Sequence, residues 1–473
     1  MYRPSRRTIS PLFVCVNVCR VYRFSPLFHI HRSLTTTGIH SLSKTAEKEI
    51  ERIVRTINDH PYPDQPLLPV LENQVQQSVI SAAFVEQVLD AFEKTLHILA
   101  RMRHFEKAWE LMERIKQVHP LLLTLKSMSI MLSRIAKFQS YEDTIEAFDR
   151  MQGKIFTDKK FGTDEFNVLL RAFCTQRQMK EARSVFNKMY SQFLPNTKTM
   201  NILLLGFKES GDVTAVELFY HEMIRRGFKP NNVTYNIRID AACKRGNFGD
   251  ALRLYEAMES ANCAPTLETI TTLIHGAGLV GNTTKAKQFF DEISERSLQP
   301  DIGAYNALLS SIIRSKDFPA STALMEEMER RNIDPDNVTY HTMFWGLIRS
   351  RRADGVSLLY AKMVENNFVP KARTVVMLMK FFCENGMVDV GLDLWNFLSG
   401  KGQCPHSHAL DILATGLCAR GRVEEALECC KETLGKGRSV SEGVVQMLER
   451  ILLEMKEEEK LEELQQLNSK LNK

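Results

Sequence analysis

The chain reads as an all-α solenoid of stacked helix-turn-helix repeats, each 35 residues long. The first observation behind this is that Pro195, Pro230, Pro265, Pro300, Pro335, Pro370 and Pro405 are each 35 residues apart with no slip. The second is that other residues keep the same step. Asn201, Asn236, Thr271 and Asn306 follow a proline by six residues, and Gly211, Gly246, Gly281, Gly386 and Gly421 by sixteen. Met223, Met258, Met328 and Met363 precede the next proline by seven. The third is that each period carries apolar residues at helical spacing, then a stop, then a second helical run.

One period shows why. Val233 to Lys244 has helical spacing and ends beside Gly246, a helix-stop residue. Asp250 to Met258 is a second amphipathic run, and Pro265 follows where that helix has to have ended. Ala182, Ala251, Ala286 and Ala426 recur near the start of the second helix, where a small side chain lets the paired helices approach. A lone hairpin cannot bury its apolar face, whereas stacked copies bury a continuous core.

In chain order, residues 1–44 carry Arg3, Arg6, Arg7, Arg20, Arg23, Arg32 and Lys44, and the first acid is Glu47. An Arg-rich, Ser-containing, acid-free start is the composition of an organellar transit peptide, and abundant Arg favours the mitochondrion over the chloroplast. Residues 45–85 form a lead-in whose Pro61, Pro63, Pro66 and Pro69 exclude a regular helix there. Residues 86–162 hold two degenerate repeats, near 89–124 and 125–162, marked by Ala108 and by Phe148 with Met151. Residues 163–441 hold eight good units: 163–196, 197–231, 232–266, 267–301, 302–336, 337–371, 372–406 and 407–441. Residues 442–473, Glu-rich with Leu448, Leu452, Leu461, Leu464, Leu467 and Leu471, are expected to form a C-terminal capping helix.

Composition narrows the function. The net charge is +5, but beyond residue 46 acids outnumber bases by two, so bulk charge does not argue for nucleic acid. The longest apolar stretch near the N-terminus, Leu12 to Val18, is too short to span a bilayer, so no membrane insertion is expected. The ten cysteines form no Cys-x-x-Cys pair, and Cys174, Cys243, Cys383 and Cys418 share one repeat position, as small buried thiols do. No catalytic constellation is present. His104-Phe105-Glu106 lacks the Cys-x-x-Cys of a zinc deaminase, His221-Glu222 lacks the second His of a zincin, and His406-Ser407-His408 is a turn-region pair. No cofactor and no metal are expected, and no enzyme.

The segments VTYN at 233–236, AYNALL at 304–309, VTY at 338–340, EARSVFNKM at 181–189 and DALRLYEAM at 250–258 resemble the pentatricopeptide repeat family. The resemblance is to its P class, without an appended catalytic domain, and it implies a right-handed superhelix that binds single-stranded RNA. It further implies that each repeat faces one base, read by its fifth and last residues. The implied pairs are Asn167 with Asn196 and Asn201 with Asn231 for pyrimidines, and Asn236 with Thr266 weakly so. Thr271 with Asp301 is implied for guanine and Asn306 with Asp336 for uracil. His341 with Lys371, Val376 with His406 and Asp411 with Ser441 depart from the family pattern and receive no base. At the second position Val233 and Val338 comply, while Lys198, Glu268, Gly303, Arg373 and His408 do not.

Two alternatives stay open at this point. The Asn and Asp residues can serve as helix caps or turn starters rather than base readers. The solenoid can equally be a structural subunit of an organellar ribosome or another RNP, binding protein through its C-terminal repeats. Basic clusters at Arg225-Arg226, Lys244-Arg245, Arg330-Arg331 and Arg349–Arg352 are candidates to follow phosphates.

Overall fold

A computed structural model describes residues 82–118, 120–403 and 405–471. The expected transit segment and the proline-containing lead-in up to residue 81 lie outside the described residues. The described residues form twenty-two α-helices and no strand, an all-α repeat solenoid. They fall into two compact units, the first ending at Ala172 and the second beginning at Phe173.

In the first unit, α1 (Ala82–Arg101) packs on α2 (Phe105–Val118) and on α3 (Leu125–Phe138), and α3 packs on α4 (Tyr141–Arg150). These are two helix pairs, and the markers Ala108, Phe148 and Met151 are buried between them. A π-helical turn over Met151–Ile155 ends α4 and keeps Met151 and Ile155 inside. Helix α5 (Thr163–Thr175) begins in this unit and ends in the next.

In the second unit the first, or A, helices are α7 (Thr197–Ser210), α9 (Asn232–Lys244), α11 (Leu267–Leu279), α13 (Ile302–Arg314), α15 (Asn337–Arg349), α17 (Ala372–Glu384) and α19 (Ser407–Cys418). The second, or B, helices are α6 (Met179–Phe193), α8 (Val213–Arg225), α10 (Phe248–Ser260), α12 (Thr283–Glu295), α14 (Phe318–Arg330), α16 (Ala353–Glu365), α18 (Val388–Gly400) and α20 (Val423–Gly435). Each A helix packs on the A helix of the next repeat and on its own B helix. The recurrent Met223, Met258, Met328 and Met363 are fully buried, as are Ala182, Ala251, Ala286 and Ala426. One apolar cluster runs unbroken from Tyr235 to Leu464, which is the continuous core that stacking was expected to supply.

Close A-to-A packing has a specific cause. A Cβ on Gly276 would lie 2.3 Å from the Cys243 Sγ, and one on Gly346 would lie 2.4 Å from the Ile313 Cγ2. Gly206 faces Cys174 and Gly416 faces Cys383 in the same way. The shared cysteine position is therefore where one A helix presses a thiol against the backbone of the next.

The turns between A and B helices repeat one backbone conformation. Gly211, Gly246, Gly281, Gly386 and Gly421 are left-handed, and three turns without glycine place Arg177 (φ 62°), Lys316 (φ 60°) and Arg351 (φ 55°) there. That region crowds Cβ against the backbone, so the three cations hold a strained conformation. Asp212, Asn247, Asn282 and Asp317 cap the B helices that follow them. Arg352, Met387 and Arg422 stand at that place in the later repeats without a side-chain cap.

The C-terminal segment differs from the single capping helix expected. It forms two helices, α21 (Glu442–Met455) and α22 (Glu458–Leu471), broken at left-handed Lys456. The break lies in the run Lys456 to Lys460, which offers no apolar residue to the core. Beyond it α22 folds back so that Leu464 is buried, and it packs on α20 and α21. Leu448 and Leu452 are buried within the same chain.

Candidate nucleic-acid interface

Each last residue is the N-cap of the next A helix. Asn196, Asn231, Thr266, Asp301 and Asp336 all accept the backbone N–H three residues on through their side-chain oxygens. These residues therefore do cap helices. The fifth residues do not, because they lie inside their helices. Asn167, Asn201, Asn236 and Asn306 are at most 7% exposed. A buried amide needs partners, and the structure shows where they come from.

The Asn201 Nδ2 donates to the Asn231 Oδ1 (3.0 Å), and the Asn306 Nδ2 donates to the Asp336 Oδ1 (3.1 Å). The amide oxygens face a hydroxyl from the next repeat. Thr234 Oγ1 lies 2.8 Å from the Asn201 Oδ1, Thr269 Oγ1 lies 2.7 Å from the Asn236 Oδ1, and Thr339 Oγ1 lies 2.7 Å from the Asn306 Oδ1. These threonines stand third in their repeats. They also accept the backbone N–H of the N-cap residue, closing a capping box. Thr199, Thr234, Thr269, Thr339 and Thr374 recur at the 35-residue step, a signal present in the sequence and not used above.

Two of the expected pairs are not directly joined. The Asn236 amide makes no hydrogen bond to Thr266 among the described residues, and its oxygen is taken by Thr269. Thr271 has a buried hydroxyl with no hydrogen-bond partner among the described residues, and so no bond to Asp301. The third residue of the following repeat is here Ala304, which has no hydroxyl to offer. Asn167, in the first unit, likewise has neither amide atom bonded among the described residues. Asn196 caps α7 in the second unit.

Of the positions given no base, Ser441 Oγ donates to the Asp411 Oδ1 at 2.6 Å, so this pair does form. His341 sits 3.0 Å from the Thr374 Oγ1 through its Nδ1. Burial, assisted by the Arg373 charge, pushes the imidazole down to about 4. Lys371 makes no side-chain cap, and His406 caps α19 through its Nδ1.

Charge is distributed unevenly over the second unit. Asp240, one turn beyond Asn236, accepts Lys208 (2.6 Å) and Lys244 (2.9 Å). Burial opposes its charge, but the two lysines hold its carboxyl below the usual range. Arg226 pairs with Glu222 and Arg331 with Glu327. The remaining cluster differs. Arg349 lies over the Trp345 ring and Arg352 over the Phe318 ring, with Lys316 and Arg351 lining the same depression. None of these four cations has an ion-pair partner among the described residues. No group of three or more His, Cys, Asp or Glu suited to a metal ion occurs among the described residues.

Comparison with known proteins agrees with this architecture. The PPR repeat family matches residues 165–208, 195–244, 233–278 and 300–349. The pentatricopeptide repeat domain matches 267–314, and the PPR repeat matches 338–368 and 410–438. A pentatricopeptide repeat-containing protein of Arabidopsis thaliana is 51% identical over 95% of this chain and 95% of its own length. A second one from that plant, named as mitochondrial, is 24% identical over 48% of this chain and 41% of its own. Among solved structures, the pentatricopeptide repeat protein PPR10 in complex with an 18-nt psaJ RNA element aligns with a TM-score of 0.45 and 15% identity, over 94% of this chain and 71% of that one. The match to the full-length relative, together with the repeat register, makes this chain a member of the pentatricopeptide repeat family.

Proposed function

We propose that the protein binds single-stranded RNA sequence-selectively in an organelle, the mitochondrion, and acts on transcripts by occupancy. A bound solenoid blocks an exonuclease, keeps a start site unpaired, or marks a site for processing or splicing by another protein. The observation that carries this reading is the fifth-to-last hydrogen bond, formed at the same place in separate repeats by Asn201 with Asn231 and by Asn306 with Asp336.

These pairs retain hydrogen-bonding capacity. An amide nitrogen has two hydrogens, and each fifth Asn gives one to its partner. The second is left for an acceptor on a base. Asp336 keeps a carboxylate oxygen, so the Asn306–Asp336 pair offers one donor and one acceptor, matching a carbonyl and the N3–H of uracil. Asn201 with Asn231 offers donors only, matching the O2 and N3 acceptors of cytosine. Thr271 offers a hydroxyl that no described residue engages. Base edges are accessible in this way only in an unpaired strand, because the A-form major groove is too narrow. The unpaired cations Lys316, Arg349, Arg351 and Arg352 are placed to contact phosphates, which set affinity without choosing sequence.

The organelle assignment rests on the acid-free, Arg-rich residues 1–44 and on the relative named as mitochondrial. In-vitro RNA selection on the purified protein tests the whole reading. Enrichment of three pyrimidines followed by G and U is the expected result. Retention without base preference would remove Asn167, Asn196, Asn201, Asn231, Asn236, Thr266, Thr271, Asp301, Asn306 and Asp336 as readers. No retention would replace RNA by protein as the partner.

A further inference from the structure

We infer that the third-position threonine of one repeat sets which atoms the preceding repeat offers to a base, making Thr234 and Thr339 positioning residues for recognition. The inference rests on the base-reading proposal, but its structural half stands apart from RNA.

Asp336, Thr339 and Asn306 are joined in a closed loop of hydrogen bonds. The backbone N–H of Thr339 donates to the Asp336 Oδ1 (2.9 Å), so an oxygen has to occupy that point. The Asn306 amide lies 3.1 Å from the same oxygen, so it turns its nitrogen toward it, since two oxygens there would repel. The Asn306 oxygen is then directed at Thr339 Oγ1, 2.7 Å away. That hydroxyl accepts the Asp336 backbone N–H (3.2 Å), which leaves its one hydrogen to donate. Asn306 Oδ1 is the nearer of its two acceptors, the Asp336 Oδ1 being 3.1 Å away. Every link points one way round. The amide is locked with its oxygen toward the protein and one N–H left over, so this repeat presents a donor.

The loop recurs with Asn201, Asn231 and Thr234 at 3.0, 2.8 and 3.1 Å. Where Ala304 replaces the threonine, the loop is absent and the preceding fifth residue, Thr271, has an unbonded hydroxyl. A hydroxyl that is free to rotate can donate or accept. A base choice in this family member thus depends on three residues, one of them in the following repeat.

The test compares Thr339→Val, which keeps the shape and removes the hydroxyl, with Thr339→Ser, which restores it. The first readout needs no RNA. In the full chain labelled with 15N-asparagine, the Nδ2 protons of Asn306, assigned by their loss in Asn306→Asp, are expected to exchange slowly with solvent. Thr339→Val is expected to raise that exchange at least tenfold and Thr339→Ser to return it toward wild type. Unchanged exchange in Thr339→Val would overturn the lock whatever RNA does. The second readout is RNA selection. Base preference is expected to relax at the Asn306 position alone in Thr339→Val and to return in Thr339→Ser. A lock that is confirmed by exchange, beside unchanged preference in a wild-type motif, would overturn its role in recognition. A wild-type protein that selects no motif overturns the base-reading proposal and with it this role, leaving the exchange result as a finding about the fold.

Discussion

Thr339 and Asn306, 33 residues apart and in successive repeats, are joined by a 2.7 Å hydrogen bond in the core of the stack. The same threonine closes the capping box of α15. One side chain therefore serves helix initiation and inter-repeat docking together. Thr339→Val is expected to lower stability by about 1–2 kcal/mol, from the lost box and the buried amide oxygen left without a donor. Thr339→Ser should recover most of this. The midpoint of urea unfolding, followed by circular dichroism, checks both.

The left-handed turn at Lys316 and Arg351 predicts an opposed pair of effects. Glycine adopts that conformation without the Cβ crowding, so Lys316→Gly and Arg351→Gly should each stabilise the protein by about 0.5–1 kcal/mol. Each also removes an unpaired cation. If both contact phosphate, the double variant should flatten the slope of log affinity against log salt by about 1.4, at roughly 0.7 per contact on a single strand. Greater stability with an unchanged slope would assign these cations no part in binding.

Glycine matters differently at Gly276 and Gly346. Adding a methyl group at either forces Cys243 or Ile313 aside, and both lie in a packed A-to-A contact. Gly276→Ala and Gly346→Ala should each cost about 1–3 kcal/mol, as overpacking does. Gly443→Ala, with nothing within 4 Å of the added atom, should cost nothing. Thermal midpoints of the three variants separate close packing from helix propensity, which favours alanine in all three.

His341 makes stability sensitive to acid. Its folded value of about 4 lies below the ordinary 6.5 because burial and Arg373 disfavour the charged ring. Between those values the unfolded chain binds more protons than the folded one, so falling pH favours unfolding. The contribution is fully present above about 6.5 and is lost as pH drops toward about 4. His341→Gln should remove this part of the pH dependence of the melting temperature. An unchanged profile would mean that His341 titrates alike in both states.

The buried thiols should be inert in the folded protein. Burial pushes Cys243, Cys429 and Cys430 up to about 12, so almost no thiolate exists at neutral pH. Iodoacetamide labelling read by mass spectrometry should modify these three only after unfolding, with half-buried Cys263 reacting first among the described cysteines.

The repeat boundaries were legible because each leaves a mark on one residue type. Proline after the B helix, glycine at the A–B turn and an Asn or Asp cap are all local requirements of backbone geometry. Lys316 and Arg351 show that a turn can keep the glycine conformation without the glycine that marks it elsewhere. The local signal misled at Lys456, where a left-handed lysine divides what reads as one capping helix. The fifth-to-last pairs came from family resemblance rather than spacing, and the geometry supports two of the five as direct contacts within the second unit.

By itself the sequence determined the period, the two helices of each repeat and the residues that start and stop them, because these depend on neighbours within a few positions along the chain. The tertiary structure alone decided that Thr339 meets Asn306, that Thr269 takes the Asn236 amide oxygen, and that Cys243 presses on Gly276. Those contacts join side chains on adjacent A helices. Which of them touch follows from the offset and close approach of two helices packed side by side, a quantity that no single repeat encodes.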